Sequence, residues 1–133
     1  MDRLKDKVAI ITGGASGIGK AAAQKFVSEG AQVAIWDMNE ETGLATINEL
    51  QATGGKAKFY KVNTADSVAV NAAMEEVVED FGTIHILINN AGITRDATLL
   101  KMTDEQWDQV INVNLKGVFN CTRAVASIFK EQQ

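Results

Sequence analysis

The sequence predicts an α/β fold, with a single domain over residues 1–133 built on a parallel sheet. Short apolar runs alternate with longer amphipathic runs along the 133 residues. A glycine-rich turn, Thr12-Gly13-Gly14-Ala15-Ser16-Gly17-Ile18-Gly19, joins the first apolar run to the first amphipathic run. Strict alternation of strand and helix indicates βαβ units, whose crossovers are right-handed and whose strands are parallel.

Four strands are predicted from the apolar runs, at residues 7–12, 32–37, 57–62 and 84–89. The last of them has an apolar centre, Ile86-Leu87-Ile88. Apolar side chains on both faces are typical of a parallel strand that is buried between two layers of helices.

Three helices are predicted between these strands, at residues 17–29, 40–53 and 66–81, each followed by glycine. Asn39 is placed to cap the second helix, which has Glu40 and Glu41 in its first turn. The tetrad Thr103-Asp104-Glu105-Gln106 has the pattern of a capping box. It predicts a last helical region that runs to about residue 130, with room for a bend.

Charge and cysteine content narrow the classes of partner and site. The net charge of −4 argues against nucleic acid or an anionic membrane as the main partner. Cys121 is the one cysteine, so no internal disulfide can form, and we expect a reducing, cytoplasmic location. Its apolar surroundings favour core packing over a nucleophilic role. We expect no metal site, no membrane span and no signal peptide.

The glycine-rich turn is the first candidate binding element. A helix that starts at this turn directs free N–H groups and a positive partial charge at its N-terminus, which favours a phosphate. Glycines let the backbone turn tightly and approach a pyrophosphate closely. The spacing is Gly-x-x-x-Gly-x-Gly, and taken alone it fits an ordinary strand-to-helix turn equally well.

Asp37 is the second candidate, because it ends the second strand 18 residues after Gly19. A carboxylate at this position can accept hydrogen bonds from both hydroxyls of an adenosine ribose. No basic residue occurs at positions 14–18 or 36–41 to hold a 2′-phosphate, so NAD is expected over NADP. The alternative is an acidic residue that simply ends a strand near a helix cap.

Asn89-Asn90-Ala91-Gly92 follows the fourth strand. Small residues there let the backbone approach a ligand in the crevice where the strand order reverses. The alternative is a strand-to-helix turn in which Asn and Gly serve the backbone geometry.

Three motifs thus follow one another along the chain: Thr12-Gly13-x-x-x-Gly17-Ile18-Gly19, Asn89-Asn90-Ala91-Gly92 and Val113-Asn114. Together they resemble the short-chain dehydrogenase/reductase family over essentially the whole chain. The strings NNAGITRDATLL and INVNLKGVFNCTRAV are similar to those of bacterial 3-oxoacyl-[acyl-carrier-protein] reductases. The resemblance implies a truncated, doubly wound Rossmann-type sheet with strand order 3-2-1-4 and helices on both faces.

The resemblance also implies an NAD(P)-dependent oxidoreductase. Hydride would pass between the nicotinamide and a 3-oxoacyl or 3-hydroxyacyl thioester on acyl carrier protein or coenzyme A. The cofactor-binding residues that it implies are, for the pyrophosphate, Gly13, Ser16, Gly17, Ile18 and Gly19; for the adenine ribose, Asp37; for the adenine, Asn63 and Thr64; for the inner ribose, Asn90, Ala91 and Gly92.

The catalytic residues of the family are an Asn, a Ser, a Tyr and a Lys, the last two spaced Tyr-x-x-x-Lys. Asn114 matches the first, and the others are expected beyond residue 133. The one tyrosine, Tyr60, is followed four residues later by Thr64, and His85 is expected to be structural. We therefore expect the cofactor half of an enzyme, inactive alone. The alternative is a non-catalytic nucleotide-binding fragment, engineered or proteolysed.

The strand order 3-2-1-4 would leave strand four at an edge of the sheet. An apolar edge without proline or charge pairs readily with another chain. Apolar side chains of the last helical region would also lose packing surface, namely Val110, Val113, Val118, Val125, Ile128 and Phe129. We expect a homo-oligomer with strand four or the final helix at the contact.

Overall fold

A computed structural model describes residues 2–133. Its centre is one four-stranded parallel sheet with the order β3-β2-β1-β4, which confirms the predicted order. The strands are β1 (Val8–Thr12), β2 (Gln32–Asp37), β3 (Ala57–Lys61) and β4 (Ile86–Ile88). Val8 pairs with Gln32 on one side of β1, and Ala9 pairs with Ile86 on the other. All four strands therefore end at the same edge of the sheet.

The described residues form five α-helices, and the two that follow the loop after β4 are joined by a π-helical turn. The helices are α1 (Gly17–Ser28), α2 (Glu40–Ala52), α3 (Ser67–Phe81), α4 (Asp104–Ile111) and α5 (Gly117–Glu131). Asn112–Lys116 forms the π-helical turn, and Leu99–Lys101 forms a short 3₁₀ turn before α4. The π turn lies inside the helical region for which the sequence allowed a bend. No helix in the described part of the chain is both long and apolar enough to cross a bilayer.

The predicted helix caps are present. Asn39 Oδ1 accepts a hydrogen bond from the Thr42 N–H at the start of α2. Thr103 and Gln106 form both bonds of the capping box at the start of α4. Gly82 ends α3 with a left-handed backbone, φ 86°, which glycine adopts without strain. These signals act over three or four residues, so the sequence alone could locate them.

Helices cover both faces of the sheet, as predicted, and each face carries its own core. Successive strand residues alternate between the faces, because the side-chain period of a strand is two. Trp36 of β2 packs on the face of α3 and α5, and its neighbour Ile35 packs on the face of α1 and α2. Cys121 is fully buried beside Trp36, which confirms its predicted place in the core.

Strand β4 differs from its prediction in length and burial. It has three residues instead of six, and Ile86, Leu87 and Ile88 are half-buried rather than enclosed. The physical reason is its place at the edge of the sheet, where, within residues 2–133, it pairs with β1 alone. Strand β2 has the predicted bounds, and the remaining elements differ from prediction by one residue at an end, as is usual for helix and strand boundaries. Val125 is also buried, at 3% exposure, contrary to the expected loss of packing.

The start of β4 is held from both sides. On the β1 side, the His85 N–H donates to Val8 O and His85 Nδ1 accepts from the Val8 N–H, both at 2.9 Å. On the outer side, the Gln132 amide donates to Ile84 O at 2.8 Å and accepts from the Ile84 N–H at 3.2 Å. The side chain of Gln132 thus occupies the edge position that a further strand would take beside Ile84.

Candidate functional site

A cleft of about 320 Å³ opens at the carboxyl edge of the sheet. The loops after all four strands contribute to it. Eight residues singled out from the sequence line the cleft: Gly13, Ser16, Asp37, Asn63, Thr64, Asn90, Ala91 and Gly92. Five more lining residues were missed, namely Trp36, Met38, Val62, Ile93 and Val113. The fold therefore brings together residues as far apart in the sequence as Gly13 and Val113.

The glycine turn has a backbone that other residues would not allow. Gly13 has φ +66°, and its N–H donates to Trp36 O at 2.7 Å. A Cβ on Gly19 would collide with the carbonyl oxygen of Gly13 and the side-chain nitrogen of Asn90. These contacts fold the turn tightly over the end of β1, so that the chain enters α1 beside the cleft.

The N-terminus of α1 has free donor groups. Its N-cap residue, Ser16, makes no side-chain cap hydrogen bond, and the first turn contains no acidic residue. By contrast, the side chains of Asn39, Asp66 and Thr103 cap α2, α3 and α4. The first N–H groups of a helix need an acceptor, and a phosphate is suited to this role. Ile18, in the same turn, is 83% exposed.

The Asp37 side chain is hydrogen-bonded to the backbone of the glycine turn. Its Oδ2 accepts from the Ala15 N–H at 3.2 Å, and its Oδ1 accepts from the Asn39 N–H at 3.0 Å. Each carboxylate oxygen can accept more than one hydrogen bond, so capacity for a further donor remains. The carboxylate is held in place at the mouth of the cleft before any ligand is present.

The Thr12 hydroxyl fastens the loop after β4 to the end of β1. It accepts from the N–H groups of Asn90 and Ala91, both at 2.9 Å, and donates to Ile88 O at 3.3 Å. Three hydrogen bonds saturate a hydroxyl, and this one is buried. Asn90 Nδ2 adds a bond to Gly13 O at 3.2 Å. The two loops are thereby held together across the cleft.

Asn114 belongs to the π-helical turn, in which the Gly117 N–H donates to Asn112 O five residues earlier. Its amide makes two hydrogen bonds to the backbone of Ile93. π turns inside α-helices often mark functional positions. The structure places Asn114 beside the loop that follows β4, next to the cleft-lining Val113.

The loop after β3 is supported by a residue that the sequence reasoning missed. Asn120 of α5, 2% exposed, donates through Nδ2 to Thr64 O at 3.0 Å. A Cβ on Gly117 would lie 2.8 Å from Thr64 Oγ1, so α5 passes close to this loop. The sequence signal that could have identified Asn120 is an asparagine inside an otherwise apolar stretch of a predicted helix.

Three side chains of types that often act in catalysis, Tyr60, Cys121 and His85, lie outside the cleft. The Tyr60 hydroxyl donates to Asp80 Oδ2 at 2.6 Å, and burial together with this carboxylate raises the pKa of Tyr60 far above its usual range. Burial raises the pKa of the Cys121 thiol to about 11. His85 accepts a hydrogen bond from the β1 backbone. None of the three lines the cleft.

Comparison with known proteins agrees with this geometry. A family model described as short chain dehydrogenase matches residues 7–133. The chain belongs to the short-chain dehydrogenase family. Among curated relatives of this family member, the 3-oxoacyl-[acyl-carrier-protein] reductase FabG of Thermotoga maritima is 47% identical over 131 residues. That match covers 98% of this chain and 53% of the relative.

A second relative is named for a different substrate. The (2S)-[(R)-hydroxy(phenyl)methyl]succinyl-CoA dehydrogenase subunit BbsD of Thauera aromatica is 42% identical over 92% of this chain and 49% of its own length. This short-chain dehydrogenase chain thus spans about half the length of the curated relatives it matches.

Solved structures confirm the Rossmann-type fold. A short chain dehydrogenase from Mycobacterium smegmatis has a TM-score of 0.93 and 36% identity, covering 97% of this chain and 55% of that one. A short-chain dehydrogenase/reductase from Burkholderia phymatum, in complex with NAD, has a TM-score of 0.92 and 33% identity. It covers 96% of this chain and 46% of that one.

Proposed function

We propose that this chain binds NAD across the carboxyl edge of its sheet and forms the cofactor half of a short-chain reductase. The observation that carries the proposal is the cleft, because the loops of four strands bring eight of the twelve predicted residues together there; Gly17, Ile18, Gly19 and Asn114 are not among its lining residues. The uncapped N-terminus of α1 supports a pyrophosphate position at Gly13, Ser16, Gly17, Ile18 and Gly19. The solved relative in complex with NAD supports the choice of ligand.

The other contacts follow from the same arrangement. Asp37 would accept from the adenine ribose hydroxyls, since its carboxylate is already aimed and held at the cleft. The adenine would lie against Asn63 and Thr64, and the inner ribose against Asn90, Ala91 and Gly92. The cofactor, when bound, supplies a hydride at its nicotinamide ring.

The proposed reaction of the complete enzyme is hydride transfer to the ketone of a 3-oxoacyl thioester, or the reverse. The carrier is acyl carrier protein or coenzyme A, because relatives named for each are similar to this chain. Reduction of a ketone also needs a proton for the new alcohol oxygen. Tyr60, the one tyrosine, lies outside the cleft with a strongly raised pKa, so it is unsuited to that task.

The second candidate function is nucleotide binding without catalysis, as a fragment produced by engineering or proteolysis. The 133 residues contain no Tyr-x-x-x-Lys pair, and this candidate function needs none. Both candidates bind the same cofactor, and they differ in the length of the gene product. Intact mass of the purified protein, compared with the length of its gene, distinguishes them: 14.3 kDa from a longer gene identifies a fragment.

The proposal is tested by two measurements on the same preparation. Titration of NADH, followed by its fluorescence, is expected to show saturable binding. Addition of acetoacetyl-coenzyme A is then expected to give no oxidation of NADH. Loss of an acid–base group alone lowers turnover by about 10²–10⁴, and positioning groups are absent as well. Turnover near 1 s⁻¹, at the low end of the roughly 1–10³ s⁻¹ of typical enzymes, would contradict the proposal that this chain is inactive alone. Absence of NADH binding would overturn the cofactor site.

The proposal includes an acyl thioester as the substrate partner, a homo-oligomeric assembly and a cytoplasmic location. The last fits a buried, unpaired Cys121, since thiols persist in reducing compartments.

A further inference from the structure

The hydroxyl of Thr46 makes an unusual contact for a residue in the middle of a helix. Thr46 belongs to α2 and is 1% exposed. A threonine in a helix interior ordinarily bonds to a carbonyl three or four residues earlier in its own helix. Here Oγ1 donates at 2.9 Å to the carbonyl oxygen of Ala15, 31 positions away in the glycine turn.

This bond fixes the orientation of the peptide group between Ala15 and Ser16. The carbonyl of Ala15 and the N–H of Ser16 belong to one planar trans peptide, in which the two groups point in opposite directions. Holding the carbonyl against Thr46 therefore directs the Ser16 N–H away from α2. Ser16 is the N-cap residue of α1 and lines the cleft.

Ala15 is restrained at its other end as well. Its N–H donates to Asp37 Oδ2 at 3.2 Å, and the residue is 3% exposed. Two successive peptide groups of the turn are thus held by side chains from β2 and α2. The turn cannot rotate about Ala15 without breaking one of these bonds.

Glycine allows α2 to come close enough for this contact. Gly43 lies one helical turn before Thr46, and a Cβ there would collide with the ring of Phe59. In the turn itself, a Cβ on Gly14 would lie 3.1 Å from the side chain of Ile35. Residues three apart share a helix face, so the approach at Gly43 brings the Thr46 hydroxyl to the turn.

We propose that Thr46 is a positioning residue for the pyrophosphate of the bound dinucleotide, acting through the Ala15–Ser16 peptide without touching the ligand. This inference rests on the proposed function of the cleft. It predicts that loss of the hydroxyl lowers the affinity for ligands that contain a pyrophosphate and leaves the affinity for ligands without one unchanged.

The experiment compares three ligands on four proteins. NADH and ADP contain the pyrophosphate, and adenosine, measured by competition with NADH, does not. Thr46→Val removes the hydroxyl with little change of shape, and Thr46→Ser restores it. Thr53→Val is the matched control, because Thr53 is the C-cap residue of the same helix and its hydroxyl donates to Leu50 O, far from the glycine turn. Thermal unfolding confirms that each variant is folded, and Thr46→Ala replaces Thr46→Val if the latter is not.

The expected result is a loss of about five- to tenfold in affinity for NADH and ADP in Thr46→Val, as for one lost hydrogen bond. Adenosine affinity is expected to stay within about twofold, and Thr46→Ser and Thr53→Val to match the original protein. Equal losses for adenosine and ADP, or no loss for either, would overturn the positioning role. Failure of the unchanged protein to bind NADH or ADP would instead overturn the proposed function.

Discussion

The side-chain amide of Asn114 is paired with the backbone of Ile93 through two hydrogen bonds. Oδ1 accepts from the Ile93 N–H at 2.8 Å, and Nδ2 donates to Ile93 O at 2.9 Å. This arrangement mimics the pairing of two backbone residues, and it anchors the loop after β4 to the π turn. Asn114 is thereby suited to hold the loop that would contact the inner ribose.

Replacing Asn114 by Ala is expected to release this loop. Both hydrogen bonds disappear, and each contributes about 0.5–1.5 kcal/mol, with the lower end expected because the pair is exposed. We expect the Ile93 amide to exchange with solvent at least about fivefold faster. Hydrogen-exchange NMR measures the change. Asn112→Ala, in the same π turn, is the control and should leave Ile93 unaffected; equal exchange rates in Asn114→Ala and the original protein would contradict the anchoring role.

Asp37 is expected to make the chain prefer NAD over NADP by tenfold or more. A carboxylate about 4 Å from a 2′-phosphate repels each unit charge by about 1 kcal/mol in water and about 4 kcal/mol at an effective dielectric constant near 20. A tenfold preference corresponds to about 1.4 kcal/mol. Titration of both cofactors measures it.

The variant that tests this charge effect is Asp37→Asn, which keeps an acceptor for the Ala15 or Asn39 N–H. This variant is expected to reduce the preference for NAD, because it binds NAD more weakly and NADP more tightly than the original protein does. Glu41→Gln removes the same charge from an exposed residue of α2 and should change neither affinity by more than about twofold. Tighter NADP than NAD in the unchanged protein would show that Asp37 does not face the ribose.

Protonation of Glu29 is expected to make the protein less stable in acid. The hydrogen bonds from the Arg3 guanidinium and then from the Arg3 N–H lower the pKa of Glu29 from 4.5 to about 2. A carboxyl whose pKa is lower in the folded state binds fewer protons there than in the unfolded state. Its stabilising contribution is therefore complete above about pH 4.5 and is lost as the pH falls toward 2.

Urea unfolding between pH 2 and pH 6 measures this dependence. Glu29→Gln is expected to unfold more easily than the original protein at pH 6 and to approach it at pH 2. Glu75→Gln, at an exposed position on α3, should reproduce the original curve. A constant difference between Glu29→Gln and the original protein across this range would contradict the assigned cause.

Association of the chain is expected to involve α5 more than β4. The Gln132 amide already bonds to Ile84 at the outer edge of the sheet, whereas Phe119 of α5 is 54% exposed and Leu115, in the π turn just before α5, is 64% exposed. Burial of such a side chain contributes about 1.5–3 kcal/mol. We expect a mass above 14.3 kDa by light scattering at micromolar concentration.

Phe119→Glu is expected to shift this protein toward the monomer. Val68→Glu places the same charge at an apolar position of α3 that is 76% exposed, and it should leave the mass unchanged. A clean monomer for the unchanged chain, with β4 amides protected from exchange, would show that the sheet edge and α5 are sufficiently covered within one chain.

The features that the sequence could predict are those encoded over short distances. Caps at Asn39 and Thr103 depend on partners three residues away, and the strand order followed from recognisable motifs. The contacts of Thr46 with Ala15 and of Gln132 with Ile84 span 31 and 48 positions. Neither has a local pattern, because each arises only when helices pack on the sheet. The same reason explains why the Thr12 hydroxyl was not predicted to join two loops.

The position of β1 in the sheet leaves one of its edges unpaired while the chain is being synthesised. Its neighbour β2 ends at Asp37, but its other neighbour, β4, begins only at Ile86. At about 5–20 residues per second, the edge of β1 that later pairs with β4 stays open for roughly 4 to 15 seconds after Thr12 is made. Val8–Thr12 is buried throughout in the folded protein, and an open apolar edge pairs with neighbouring chains. A strand from the interior of the folded sheet is thus open to misassembly during synthesis.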